Sequence, residues 1–207
     1  GGRRRRQVCV RARHSGADGA ILYRIWSPVN LTGHNFGSNV SFISDINGDQ
    51  IKDLAISSRT RYYLFSGSNG VNLTPSSQPG GMTYKALENA GDLDGDGNDD
   101  LLVDVIIDLK ERYLLALNLN DVRIIYAIPI YFNDIAQQGD CAVINDMTGD
   151  GIKDFLLTQE YGVGLHSGAD GTQLTFFPDD PHEWEFGTDC GDIDGDGIRD
   201  FGLISEY

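Results

Sequence analysis

Four acidic nine-residue segments at a regular spacing constrain this chain more than any other feature of its sequence. They begin at residues 45, 92, 146 and 192 and read DINGDQIKD, DLDGDGNDD, DMTGDGIKD and DIDGDGIRD. A short apolar run follows each segment at once: LAI, LLV, FLL and FGL. Self-similarity at a period of about 50 residues is typical of a repeat architecture, so we interpret the chain as copies of one structural unit.

A second motif, HSGADG, marks another fixed place in this unit. It occurs at residues 14–19 and again at 166–171, with a weaker copy, SGSNG, at 66–70 and a decayed one, NLND, at 118–121. Glycine beside Asp or Asn between apolar runs predicts a hairpin turn, because these residues tolerate positive φ. The motif is therefore interpreted as a turn rather than an active site, and its histidines as structural residues.

The order within each unit is acidic loop, strand, strand, turn, strand. About four short strands in about 50 residues predict a β-propeller blade, with a β-solenoid as the competing architecture. The 207 residues hold three whole units, the second half of a unit at the start and the first half at the end. The two halves could share one blade and close a ring, or the four units could belong to a longer propeller. No segment has the apolar period of a helix, so the expected class is all-β. We assign residues 8–207 to the repeats and residues 1–7 to a basic tail.

The chemistry of the acidic segments points to calcium. Oxygen-bearing side chains occupy positions 1, 3, 5 and 9 of every copy. Calcium takes about six to eight oxygen ligands, and glycine at position 4 of each copy allows the bend that turns alternate side chains inward. The backbone carbonyl of position 7 would complete the shell. The candidate ligands are Asp45, Asn47, Asp49, Ile51 and Asp53; Asp92, Asp94, Asp96, Asn98 and Asp100; Asp146, Thr148, Asp150, Ile152 and Asp154; and Asp192, Asp194, Asp196, Ile198 and Asp200.

These segments differ from the calcium loop of an EF-hand, which ends in a bidentate Glu at position 12. Position 12 is apolar in every copy: Ile56, Val103, Leu157 and Leu203. A strand–loop–strand site is therefore expected. Gln50 stands where the other copies have glycine at position 6, and Thr148 has no carboxylate at position 3. We therefore expect the fourth and second sites to be strongest, followed by the third and then the first.

The pattern D-x-[DN]-G-D-G-x-x-D, the Phe-Gly pairs at 36–37 and 186–187 and the SGADG turn resemble the FG-GAP/VCBS repeats of integrin α-subunits and bacterial surface proteins. The resemblance covers residues 8–207, although the Gly-Ala-Pro segment is missing after every loop and two units lack Phe-Gly. It implies a calcium-binding β-propeller at the cell surface or in the extracellular medium. It also implies a binding or adhesion module for protein or carbohydrate ligands.

Composition and motifs exclude several other classes of protein. The formal net charge of −15 opposes non-specific binding to nucleic acid. No apolar run is long enough to cross a bilayer, so direct membrane insertion is not expected. No Ser-His-Asp, GxSxG or P-loop arrangement is present, so we do not expect an enzyme. Two alternatives to a binding module stay open: a structural spacer of a larger surface protein, and a polysaccharide lyase built on a propeller.

Overall fold

The computed structural model of the chain describes residues 10–14, 16–28, 35–76, 78, 81–107, 111–131, 141–178, 184–197 and 199–205. These residues form fifteen strands and no helix, so the expected all-β class is confirmed. The strands are β1 (Val10–His14), β2 (Ile21–Trp26), β3 (Val40–Ile43), β4 (Asp53–Ser58), β5 (Arg61–Phe65), β6 (Met82–Gly91), β7 (Asp100–Ile107), β8 (Glu111–Leu117), β9 (Ile124–Ile130), β10 (Cys141–Val143), β11 (Phe155–Gln159), β12 (Gly162–His166), β13 (Gln173–Pro178), β14 (Trp184–Gly191) and β15 (Asp200–Ser205). The basic tail at residues 1–7 lies outside the described residues.

The strands pair in sequence order into antiparallel sheets. The second unit (β6–β9) and the third unit (β10–β13) each have four strands, as expected for propeller blades. The first unit (β3–β5) has three strands, and a bridge between Phe65 and Asn72 continues it toward a fourth. The N-terminal hairpin (β1–β2) and the C-terminal pair (β14–β15) are separate two-stranded sheets in the described part of the chain.

Hydrophobic residues fill the space between consecutive sheets. Strand β7 shows the principle, because its side chains alternate between two neighbours. Leu101 and Val103 pack toward the first unit, whereas Leu102 packs toward the third. This is why the central strands are apolar on both faces, with every residue of Asp53–Ser58 buried. A face-to-face stack of sheets is the packing of propeller blades.

The N-terminal hairpin packs on the first unit as the second unit packs on the third. Ile25 of β2 joins the core of the first unit, and the Tyr23 hydroxyl donates to the carbonyl oxygen of Gly67 at 2.8 Å. The Tyr126 hydroxyl of β9 donates to the carbonyl oxygen of Gly168 at 2.9 Å in the third unit. The hairpin is therefore the outer half of a unit, as the sequence predicts.

The second motif forms turns at each described copy. HSGADG connects β1 to β2 and β12 to β13, and NLND connects β8 to β9. The interpretation of these segments as hairpin turns is thus confirmed.

Among the described residues there is no helix with the length and apolar character needed to span a bilayer.

Candidate metal centres in the acidic loops

The four acidic loops lie at one end of their sheets. Each connects the first and second strands of a unit: β3 to β4, β6 to β7, β10 to β11 and β14 to β15. The turns of the second motif reach the same end, because antiparallel strands reverse direction at every connection. We call this the loop end, and the opposite end, with the turns between second and third strands, the far end. The acidic loops of the first, second and third units therefore each have a second-motif turn of their own unit beside them.

The first Asp of each loop organises the surrounding backbone. In the second loop, Asp92 Oδ1 accepts hydrogen bonds from the N–H of Gly95 (2.7 Å) and Asp96 (3.1 Å). Its Oδ2 accepts from the N–H of Gly97 at 2.8 Å. The backbone can wrap in this way because φ is +79° at Gly95 and +90° at Gly97. The corresponding residues of the other loops bind their backbones in the same manner: Asp45, Asp146 and Asp192.

These N–H donors favour the ionised carboxylate. In the third loop, the N–H of Gly151 is the largest influence and lowers the pKa of Asp146. For Asp45, desolvation acts to raise the pKa, but the backbone N–H groups of residues 47–50 outweigh it and leave the pKa lowered. Both loops thus hold their first Asp in the charged form that a cation requires.

The last Asp of a loop ties it to the second-motif turn of the same sheet. In the first loop, Asp53 Oδ2 accepts from the N–H of Ile46 (3.0 Å), and Oδ1 accepts from the N–H of Gly67 (2.9 Å). In the third loop, Asp154 Oδ1 accepts from the N–H of Gly168 at 3.0 Å. Both carboxylates are completely buried. The acidic loop and the turn are therefore one connected structure.

Only glycine can make this contact. A Cβ atom at Gly67 would lie 1.8 Å from the carbonyl oxygen of Lys52, and one at Gly168 would lie 1.8 Å from the carbonyl oxygen of Lys153. These distances are far below van der Waals contact, so the turn could not approach the loop with any side chain present. The glycines at positions 67 and 168 are thus explained by close packing of two backbone segments.

The second unit has Leu119 at this position, and the contact is absent there. The Leu119 side chain is buried in the core between the first and second units. Asp100 keeps the hydrogen bond from the Leu93 N–H to Oδ2 at 2.8 Å. Its Oδ1, however, is buried and has no hydrogen-bond partner. A buried carboxylate oxygen without a donor is costly.

The carboxylates of the second loop also repel one another. Burial, together with repulsion from Asp94, Asp96 and Asp92, raises the pKa of Asp100 to about 7. Hydrogen bonds from the side chain of Asn118 and the backbone of residue 98 instead lower the pKa of Asp96 to about 2. The loop therefore concentrates negative charge that only a cation or a proton can balance.

In each of three loops, carboxylates converge closely enough to bind one ion together. Calcium–oxygen distances are about 2.4 Å, so ligands on opposite sides of an ion lie at most about 4.8 Å apart. Carboxylate oxygens within 4.8 Å of one another come from Asp45, Asp49 and Asp53; from Asp92, Asp94 and Asp96; and from Asp192, Asp194 and Asp200. Asp146, Asp150 and Asp154 of the third loop form no such group among the described residues. By this measure the first loop ranks above the third, the reverse of the order expected from the sequence.

The remaining candidate ligands lie within the same loops. Thr148 at position 3 of the third loop donates its hydroxyl to Asp146 Oδ1 at 3.2 Å. At position 7, the N–H groups of Ile51, Asn98 and Ile152 each donate to the Asp at position 5, over 2.8–3.0 Å. Ile198 lies outside the described residues. Coordination by the position-7 carbonyls stays a prediction.

Sequence reasoning missed the polar groups that the second-motif turns place over the loops. In the first unit, the Ser68 hydroxyl donates to Asp49 Oδ2 at 2.6 Å. In the second unit, Asn118 Nδ2 donates to Asp94 Oδ2 and to Asp96 Oδ2, both at 2.8 Å. The turn copies aligned in the sequence contain these residues, but their contacts depend on how two distant loops meet.

His166 of the HSGADG motif is a structural residue, as expected. It is buried, stacks on the ring of Phe155 at 5.4 Å, and its Nδ1 lies 3.0 Å from the carbonyl oxygen of Gly171. Burial lowers the pKa of His166. Its role is therefore packing within the third unit.

The sequence between the first two loops matches a known family. A family model described as an FG-GAP-like repeat matches residues 45–103, from the first Asp of the first acidic loop into β7. This segment is similar to an FG-GAP-like repeat. The resemblance predicted from the loop pattern is thus confirmed for this segment, which contains the first two carboxylate groups. Among curated proteins, no match to the chain was found.

The segment that matches the FG-GAP-like repeat spans parts of two sheets. The matched segment contains one acidic loop, strands β4 to β6, the second loop and the beginning of β7. It thus covers the junction between two consecutive sheets rather than one isolated sheet. In its described residues the chain is therefore a series of packed antiparallel sheets, consistent with the blades of a propeller, and the FG-GAP-like match spans the first of their junctions that contains two acidic loops.

Proposed function

We propose that the protein is a calcium-binding, non-catalytic module that acts outside the cell and binds a protein or carbohydrate ligand. The observation that carries the calcium assignment is the convergence of three carboxylates within 4.8 Å in each of three loops. The donor set consists of oxygen atoms alone, which suits a hard cation such as calcium.

In this proposal, calcium braces the connection between the first two strands of a unit. Asp45, Asp49 and Asp53 would hold the ion of the first loop, and the corresponding groups would hold those of the second and fourth. Bound calcium would offset repulsion between carboxylates and much of the formal net charge of −15. In the first unit Asp53 also anchors the second-motif turn, so the ion would stabilise the loop and the turn together.

The far end is the proposed surface for a ligand. Tyr131, which follows β9, is 74% exposed, and Tyr161, in the turn between β11 and β12, is 68% exposed. Aromatic side chains of this kind stack on sugars and enter protein interfaces. Tyr161 also has φ of +78°, an unfavourable conformation for a bulky residue, and such strain is common where a turn serves binding. These features favour a binding module over a structural spacer.

Binding assays separate the proposed module from its alternatives. A glycan array and a pull-down with surface proteins should detect a ligand, and Tyr131→Ala with Tyr161→Ala should weaken its binding. A spacer would bind nothing in either assay. A lyase would release unsaturated products from acidic polysaccharides, which absorb in the ultraviolet.

Calcium binding is tested by thermal unfolding. The protein is melted with calcium, then with a chelator, and then after calcium is restored. Because a ligand of the folded state stabilises by mass action, the melting temperature should fall with chelator and recover with calcium. Magnesium at the same concentration is the control, since it prefers a smaller octahedral shell. A melting temperature that calcium leaves unchanged would contradict the calcium assignment.

A further inference from the structure

The second acidic loop differs from the other described loops because a cationic side chain lies on its carboxylates. The guanidinium of Arg123 donates to Asp94 Oδ2 at 2.7 Å. Arg123 belongs to the turn between β8 and β9, which is the second-motif turn of the same unit. Asp94 is one of the three carboxylates that converge in this loop. A positive charge of the protein therefore already occupies a proposed calcium ligand.

The same turn supplies two further donors to the neighbouring carboxylate. Asn118 Nδ2 donates to Asp96 Oδ2 at 2.8 Å, and Asn120 Nδ2 donates to the same atom at 2.7 Å. These amide donors and the Arg123 guanidinium therefore engage Asp94 and Asp96 together. We call Asn118, Asn120 and Arg123 the clasp.

The repeat itself shows that the clasp is specific to this unit. The residue that corresponds to Arg123 is Val71 in the first unit and Thr172 in the third, as the matching turn hydrogen bonds establish. Neither carries a charge. In the first unit the side chains of this turn that donate to the loop are neutral, namely the hydroxyls of Ser66 and Ser68 on Asp49. A neutral hydroxyl can remain beside a bound calcium ion, whereas a guanidinium on the same oxygen repels it.

We propose that Arg123 is a built-in competitor of calcium that sets the affinity of the second loop below that of the other loops. This inference rests on the proposed calcium function. Calcium would have to displace the guanidinium from Asp94 before it could use that oxygen. Arg123 is half exposed and also lies 3.4 Å from Asp121 Oδ2, so it has an alternative partner when it leaves Asp94. The second loop would then be filled only when calcium is abundant.

The clasp has a second consequence for the calcium-free protein. Arg123 partly neutralises the carboxylates of the loop and thereby stabilises the empty fold. Substitution of Arg123 should therefore lower the stability of the calcium-free protein and raise the affinity of the second loop for calcium. A side chain with only a packing role would not produce this opposition.

The test compares Arg123→Gln with Arg61→Gln, which removes an equal charge from an exposed side chain at the far end of β5. Calcium is titrated into chelator-treated protein, and the backbone amide resonances of Gly95 and Gly97 report the second loop. Those of Gly195 and Gly197 report the fourth. In Arg123→Gln the second-loop midpoint should move to about tenfold lower calcium, the equivalent of one charge-assisted hydrogen bond. The fourth-loop midpoint should stay unchanged, and Arg61→Gln should change neither.

The outcomes separate this inference from the proposed function. If the fourth loop responds to calcium but the second-loop midpoint is the same in Arg123→Gln and the parent, the competitor role is wrong and calcium binding stands. If no loop responds in any variant, the calcium function and the competitor role are both wrong, and urea unfolding in chelator then tests only whether the clasp stabilises the calcium-free protein. A lower urea midpoint for Arg123→Gln than for Arg61→Gln would show that the clasp stabilises the calcium-free protein, and equal urea midpoints would show that it does not. Arg123→Lys, which keeps the charge, should behave as the parent.

Discussion

The two perfect copies of HSGADG should respond differently to the same substitution. Gly168→Ala places a methyl group where the Cβ would lie 1.8 Å from the carbonyl oxygen of Lys153. The turn must then move away from the acidic loop, which breaks the 3.0 Å hydrogen bond from the Gly168 N–H to Asp154 Oδ1. Gly16 holds the equivalent place in the N-terminal hairpin, and a Cβ there would meet no atom within 4 Å. Gly16→Ala is therefore a matched control within an identical hexapeptide.

The magnitude follows from two contributions. Loss of a hydrogen bond to a charged, buried group costs about 1.5–3 kcal/mol. Forcing an extra methyl into a packed site costs about 1–3 kcal/mol. Gly168→Ala should thus lower the free energy of unfolding by about 3–5 kcal/mol. For Gly16→Ala we expect a change within about 0.5 kcal/mol, as for surface substitutions generally.

Urea unfolding followed by tyrosine and tryptophan fluorescence measures both variants, and far-ultraviolet circular dichroism checks that each folds. The unfolding midpoint of Gly168→Ala should lie well below that of the parent protein, whereas that of Gly16→Ala should coincide with it. Equal midpoints for the two variants would refute the argument that the turn contact requires glycine.

Three further substitutions or conditions test the loops. Asp45→Ala should remove more of the calcium-dependent rise in melting temperature than Asp146→Ala, because the first loop brings three carboxylates together and the third does not; the opposite order would restore the ranking expected from the sequence. Gln50→Gly should raise the free energy of unfolding by about 0.5–1 kcal/mol, because Gln50 has φ of +66° and glycine adopts this conformation without strain; an unchanged or lower urea midpoint would contradict this. The calcium-free protein should become less stable as pH rises from about 5 to 8. The pKa of Asp100 is about 7 in the folded state and about 3.9 in unfolded chains. The folded state therefore binds more protons than the unfolded state in this window, and raising the pH favours unfolding. Asp100→Asn should flatten this dependence in urea titrations at several pH values, and an unaltered slope would show that another group is responsible.

Much of the fold followed from local sequence patterns. The apolar runs predicted the strands, and the glycines at positions 4 and 6 predicted the bends, because backbone conformation depends on each residue and its nearest neighbours. Gly95 and Gly195 have the positive φ angles that this reasoning requires. Trp26 of the outer strand β2 is nevertheless 45% exposed. Local pattern does not reveal which face of an outer strand a neighbouring sheet covers.

The sequence alone therefore determined the all-β class, the period, the turns and the identity of the acidic loops. Tertiary structure decided which carboxylates converge, why Asp100 Oδ1 is left without a donor, and that Arg123 reaches Asp94. The physical reason is that the contacts between loops and turns join residues 14 to 29 positions apart, with two strands between them in the chain. These contacts form only if the strand register brings the turn over the loop and if glycine rather than leucine occupies one turn position. Both conditions concern residues that are distant in the chain, so local sequence patterns do not reveal them.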